Sequence, residues 1–166
     1  MAPGGAILKR RIRIVLFSLA GLLAAASLLT SPVKSDKADL PLLSGAKIDG
    51  SVLALFQRSC QDCHSEATRY PWYAFIAPVS WWIESDVADG RTHLNMSRWN
   101  EYSLVRKERN LSEIANQVKD HDMPLRQYTW MHWNARLSES DVNVIFQWTQ
   151  AERLRLIEAN VHEQTH

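Results

Sequence analysis

The stretch Cys60-Gln61-Asp62-Cys63-His64 decides how the rest of the chain is read. Cys-x-x-Cys-His is the attachment pattern of a c-type haem. On one turn of helix, side chains three and four residues apart share a face. Cys60 and Cys63 are thereby placed to form thioethers to one edge of a porphyrin. His64 points its imidazole at the iron from the same side. Other uses of these residues are weaker. A redox Cys-x-x-Cys normally follows a strand in a βαβ pattern, and the sequence offers none. A structural zinc site takes four ligands, mostly Cys and His; with no third cysteine, zinc would need two histidines. A plain disulfide remains compatible with an exported protein.

A chain of 166 residues defaults to one domain, and 46% hydrophobic residues suffice for a core. Seven tryptophans are many for this length. Some must fill core and interface, but a small domain wrapped around a flat macrocycle also needs wide, flat side chains. The net charge of +1 hides an asymmetry: Lys9, Arg10, Arg11 and Arg13 precede the first apolar run, and the remaining 15 basic residues face 18 acidic ones. On charge grounds the part after residue 31 is not a nucleic-acid binder.

The basic cluster leads into an uncharged run from Ile14 to Leu29. This is either the apolar region of a signal peptide or a short membrane anchor. Ala24-Ala25-Ala26 suits a cleavage site, but Leu28 and Leu29 extend the run past it, to 18 residues counted from Ile12. An uncleaved anchor in the inner membrane is the favoured expectation; a cleaved chain soluble in the periplasm is the alternative. Both carry residues 31–166 across the membrane, because the positive cluster stays inside. The expected organisation is a signal or anchor helix over 1–30, a linker rich in turn residues over 31–47, a haem-binding domain over 48–160 and a polar tail over 161–166.

Within the domain the signals are helical. Asp49 or Ser51 can cap a helix carrying Val52, Leu53, Leu55 and Phe56 into the haem motif. Pro71 disfavours helix at Tyr70, so an aromatic loop follows His64. Pro78 can open the next helix, with Gly90 near its end. Asn95 or Ser97 starts a short polar helix containing Trp99, Tyr102, Leu104 and Val105. Leu111, Ile114, Ala115 and Val118 form an i, i+3, i+4, i+7 stripe that stops at Asp120-His121-Asp122-Met123-Pro124. Ser138 followed by Asp141 is a capping-box pattern, and the helix it opens is expected to run to about Ala159. No strand-like alternation of convincing length occurs, so the fold class is all-α.

A six-coordinate haem needs a second axial group. The candidates are Met96, Met123, Met131, His93, His121 and His132. Met123 leads because Met-Pro follows a helix end, so its sulfur sits on a turn stiffened by Pro124. Met131 and His132 share a short aromatic helix with Tyr128 and Trp130 and can line the pocket instead.

These residues carry a resemblance. Cys60-Gln61-Asp62-Cys63-His64-Ser65, Tyr70-Pro71-Trp72-Tyr73, Ile76-Ala77-Pro78-Val79-Ser80-Trp81-Trp82, Gly90-Arg91, Leu94-Asn95 and Trp99 resemble the bacterial haem-binding domain family of monohaem c-type proteins. Met123-Pro124, Tyr128, Met131-His132, Ala135, Leu137-Ser138 and Trp148 continue the match, which covers roughly residues 48–150. The resemblance implies an exported, often membrane-anchored, cytochrome c-like helical domain around one covalent haem c. It implies haem-binding roles for Cys60, Cys63, His64, Pro78, Trp72 and Trp82, and iron ligation by His64 and Met123. In the family the Met96 position more often carries an apolar aromatic, which argues against Met96 as ligand. The domain also resembles class I cytochromes c, which use a proline carbonyl to hold the ligating histidine, so the carbonyl of Ala77 or Pro78 is the expected acceptor for His64. The long aromatic segment 65–82 departs from the small members of that class.

The functional expectation is a one-electron carrier with a His/Met haem, redox-active without being an enzyme by itself. The alternative is a haem-based sensor or peroxidase with an open or displaceable sixth position, using His93, His121 or His132 with Arg91 or Arg126 as distal polar groups. A subunit role in a membrane respiratory complex is compatible with the first. The redox partner protein is not specified by the sequence.

Overall fold

The structure is a computed structural model that describes the backbone of residues 4–29 and 40–164, and the side chains of 7–27, 40–162 and 164. The described residues are all-α: seven α-helices and three short 3-10 turns, with no strand among them. They fall into two compact units, one of residues 1–34 and 69–88, the other of 35–68 and 89–166.

In the first unit, helix α1 spans Gly4–Leu29. Its apolar side chains face outward; Phe17 is 76% exposed. Among the described residues no helix is long and apolar enough to cross a membrane. The expected spanning anchor is therefore not supported. The uncharged part of α1, Ile14 to Leu29, rises only about 24 Å, against ~30 Å of hydrocarbon. Leu28 and Leu29, which complete the expected 18-residue run, lie outside the described side chains. The Ser27 hydroxyl donates to the Leu23 carbonyl at 2.8 Å and accepts from the Ala77 N–H at 2.9 Å. That bond ties the end of α1 to the aromatic segment. There, Pro71 precedes a 3-10 turn over Trp72–Phe75, and helix α4, Val79–His93, begins directly after Pro78; its residues 89–93 belong to the second unit. The opening role expected of Pro78 holds.

In the second unit, helix α2, Gly50–Ser59, starts at Asp49 in the cap position, although the Asp49 side chain makes no cap hydrogen bond. Helix α3, Gln61–His64, is one turn long. The Asn95 side chain accepts from the Ser97 N–H and opens a 3-10 turn over Met96–Glu101. The short polar helix expected from here stops at Tyr102. Ser103 accepts from the Arg106 N–H and caps helix α5, Leu104–Lys119, which takes Leu104 and Val105 with it. Every member of the expected stripe, Leu111, Ile114, Ala115 and Val118, is buried. Helix α6, Arg126–Met131, and a 3-10 turn over Trp133–Ala135 lead to helix α7, Glu139–Gln164. That last helix runs past the Ala159 expected from its pattern.

The core of this unit joins α2, α5, α7 and the turn at Met96–Trp99. Phe56 stacks edge-on to Trp148 at 5.1 Å, and the Trp148 indole N–H donates to the Lys47 carbonyl at 2.9 Å. Leu42 and Leu43, in the irregular stretch before α2, belong to the same core, and the Leu43 N–H donates to the Met96 carbonyl at 2.9 Å. Phe56 is 1% exposed. Phe56→Ala is expected to cost about 3–5 kcal/mol, read as a lowered denaturant midpoint with an unchanged slope.

The capping box at α7 is reciprocal. The Asp141 carboxylate accepts from the Ser138 N–H at 2.9 Å, and the Asp141 N–H donates to the Ser138 hydroxyl at 3.2 Å. Arg58 pairs with the same carboxylate at 3.1 Å. Burial pushes the Asp141 acid up, but the Ser138 hydrogen bonds and Arg58 outweigh it and hold it below the ordinary aspartate value. Such a depressed group contributes stability above its unfolded pKa, and the contribution is lost as pH falls through the folded value. Asp141→Asn is therefore expected to cost about 1 kcal/mol at neutral pH, a difference that shrinks as acid protonates the folded carboxylate.

Candidate haem site

Cys60 ends α2 and starts α3. Its N–H donates to the Phe56 carbonyl at 2.9 Å, and its carbonyl accepts from the His64 N–H at 3.0 Å. The chain thus changes direction at the first cysteine and then makes the single turn that the motif spacing calls for. No disulfide joins Cys60 and Cys63. Burial, and then the nearby Cys63, push the Cys60 thiol up to about 12, against a smaller downward pull from Arg58. A redox Cys-x-x-Cys needs a thiol shifted the other way, so that use is disfavoured. Among the described residues, no group of three or more His, Cys, Asp and Glu side chains is placed to hold a metal ion, which leaves a zinc centre without its ligands.

The His64 Nδ1 lies 3.1 Å from the Leu94 carbonyl oxygen. A carbonyl only accepts, so Nδ1 carries the proton and Nε2 keeps the lone pair that a metal needs. Burial is the main cause that lowers the His64 pKa, partly offset by the Leu94 and Gly90 carbonyls, with His93 adding to the fall. A neutral imidazole with a fixed tautomer is the form that ligates. The expected acceptor, Ala77 or Pro78, is therefore corrected to Leu94. Leu94 follows the last residue of α4, and carbonyls at a helix C-terminus lack partners within the helix.

Gly90 explains how α4 reaches the motif. A Cβ at this position would stand 2.7 Å from the Cys63 carbonyl oxygen and 3.2 Å from the Cys63 Cβ. The glycine expected near the helix end does stand in the last turn of α4, and it is also a point of close approach. Arg91, next in line, donates from Nε to the Ser65 carbonyl at 2.8 Å and from its terminal amino group to the Thr68 hydroxyl at 3.0 Å. Thr68 donates to the Asp62 carbonyl at 2.6 Å, and the Gln61 amide donates to the Ala67 carbonyl at 3.1 Å. The attachment turn is thus wrapped by the loop that follows it and clamped by the end of α4.

The remaining candidates separate by environment. Met96 is fully buried in the core, away from any exposed surface. Met123 is half-buried just past α5, with its N–H on the Gln117 carbonyl at 3.1 Å. Met131 is 60% exposed. His132 is half-buried, stacked on Tyr128 with its Nδ1 3.2 Å from the Tyr128 carbonyl. His93 is exposed, its Nδ1 2.9 Å from the Asp89 carbonyl, and His121 is exposed 3.4 Å from Glu139. Arg91 is committed to the clamp, while Arg126 is exposed. Trp72, Pro78 and Trp82 lie in the first unit and are exposed. Of the seven tryptophans only Trp99 and Trp148 are buried; the other five are exposed.

The donors fit a c-type haem: two cysteines on one turn, and beside them a neutral histidine with a fixed tautomer. A family model described as a haem-binding domain matches residues 25–151, three-quarters of the chain. The chain belongs to the haem-binding domain family. The match begins inside α1 and ends within α7, so it takes in all the elements that build the attachment turn and its clamp. The haem-binding domain is also similar to the protein named cytochrome c peroxidase Ccp of Escherichia coli (strain K12), with 22% identity over 130 residues. That alignment covers 76% of this chain but 28% of the relative, so the chain spans little more than a quarter of the protein it matches. No solved structure matches it.

Sequence reasoning missed the Leu94 carbonyl, the Arg91 clamp and a hydrogen bond from Tyr128 to Asp62 at 2.8 Å. Each joins positions at least 23 residues apart, and no local pattern announces such a pairing.

Proposed function

We propose that this haem-binding domain is a monohaem c-type cytochrome that carries single electrons on the exported side of the membrane. The observation that carries the reading is the attachment turn, with Cys60 and Cys63 on one helical turn and the His64 Nδ1 held by Leu94. A haem bound there supplies exchange between ferric and ferrous iron. Cys60 and Cys63 would hold the haem through thioether bonds to its two vinyl groups. His64 ligates through Nε2, and the Leu94 carbonyl keeps the ring from turning. Met123, on the turn before Pro124, supplies the sixth ligand. In this reading the domain works with a redox partner protein rather than as an enzyme by itself.

The basic cluster of α1 supports export to the periplasmic side, and the exposed apolar side chains behind it support attachment to the inner membrane. N-terminal sequencing of the exported protein separates retention of α1 from cleavage near Ala26.

A second reading is a peroxidase, favoured by the similarity to a protein named cytochrome c peroxidase. Carbon monoxide binding and peroxide turnover together separate the two. The reduced carrier is expected to be unchanged by carbon monoxide and to consume hydrogen peroxide slowly. Ready carbon monoxide binding together with rapid peroxide turnover overturns the carrier and establishes the second reading.

A further inference from the structure

The attachment turn is held on one side by α4, through Arg91 and Leu94. A different element reaches it through Asp62, one of the two residues between the cysteines. The Tyr128 hydroxyl donates to an Asp62 carboxylate oxygen at 2.8 Å. Tyr128 lies on α6, and its ring stacks on His132 at 4.2 Å and 26°. Three residues before α6 stands Met123; at its end stand Met131 and His132. The segment with three of the six candidate sixth ligands is therefore bonded, through one hydroxyl, to the turn that supplies the fifth.

This bond matters because α6 is short. Six residues are too few for a helix to persist by local hydrogen bonds alone, and no side chain caps its N-terminus. The Asp62 end of the bond is firm by contrast. Its backbone carbonyl is held by Thr68, and Thr68 by Arg91. A hydrogen bond to a carboxylate is also among the stronger kinds.

We propose that the Tyr128–Asp62 hydrogen bond is a latch that presses residues 123–132 onto the open haem face and sets how firmly the sixth position is closed. Tyr128 and Asp62 are positioning residues: neither touches the iron. The inference rests on the c-type haem proposed above, but it holds whichever residue of the segment is the ligand.

Tyr128→Phe removes the hydroxyl and keeps the ring on His132. Asp62→Ala removes the acceptor. In the haem-loaded protein each change is expected to raise the affinity of the ferric form for added imidazole about tenfold. The double variant should go no further than either single one, because both remove the same bond. Asp62→Asn, whose amide oxygen still accepts, should restore most of the wild-type resistance. Wild-type affinities in the single variants, or additive effects in the double, overturn the latch. Amide hydrogen exchange separates this outcome from the ligand assignment. Loss of the hydroxyl should quicken exchange across residues 126–132 about tenfold, and unchanged exchange overturns the latch. A wild type that takes imidazole without resistance removes the reading of Met123 as ligand, and the exchange measurement then decides the latch alone.

Discussion

Replacing Met123 by alanine is expected to open the sixth coordination position. The ferrous variant should bind carbon monoxide, and the ferric variant should lose the weak sulfur-to-iron charge-transfer band of the wild type. The thioether is soft and neutral, so it favours ferrous iron over a second imidazole and raises the potential. Met123→His should therefore keep a six-coordinate haem and lower its potential by on the order of 0.1 V, within the ≈0.8 V that axial ligands span. Met96→Leu and Met131→Leu are the controls and should leave the band intact. Burial of Met96 in the core suits it to that purpose. Loss of the band in Met131→Leu, with its survival in Met123→Ala, transfers the ligand to Met131. A wild type without the band passes the role to His132 or to an open site, and the peroxidase reading gains.

The second large effect concerns Gly90. In an exposed helix interior, glycine to alanine gains about 0.5–1 kcal/mol. At Gly90 the sign is expected to reverse. The added methyl would stand 2.7 Å from the Cys63 carbonyl oxygen, and neither backbone can yield without parting. Pushing the end of α4 away also displaces Leu94, one turn further on, whose carbonyl fixes His64. Gly90→Ala is expected to cost about 1–3 kcal/mol and to lower the yield of haem-loaded protein, and Gly90→Val to exceed it on both counts. Gly50, with nothing within 4 Å of an added Cβ, is the control and should tolerate alanine. A Gly90→Ala protein as stable and as well loaded as the wild type removes the close approach from the account.

These two positions show what the amino-acid sequence reveals and what it does not. Features fixed by neighbours three or four residues apart are legible in advance. The capping box at Ser138 and Asp141, the buried stripe from Leu111 to Val118 and the single turn bearing Cys60, Cys63 and His64 are all of this kind. Gly90 is visible as a glycine near a helix end, but its partner is 27 residues away, and a turn signal cannot be told from a close approach without that partner. The Leu94 carbonyl is harder still, since any backbone carbonyl past a helix end is a candidate and only packing selects one. The apolar run before the domain is legible as a helix, but among the described residues no helix is long and apolar enough to cross a membrane. Leu42 and Leu43 look like linker residues because Pro41, Ser44 and Gly45 surround them, yet both are core.

The account stands on covalent attachment of haem at one turn. Its most direct test is the mass of the tryptic peptide Ser59–Arg69 after acid-acetone extraction of the purified protein, a measurement independent of what happens to α1. The expected result is a peptide heavier by one haem, with the colour retained on the polypeptide. A peptide of unmodified mass, with the haem in the acetone, contradicts it.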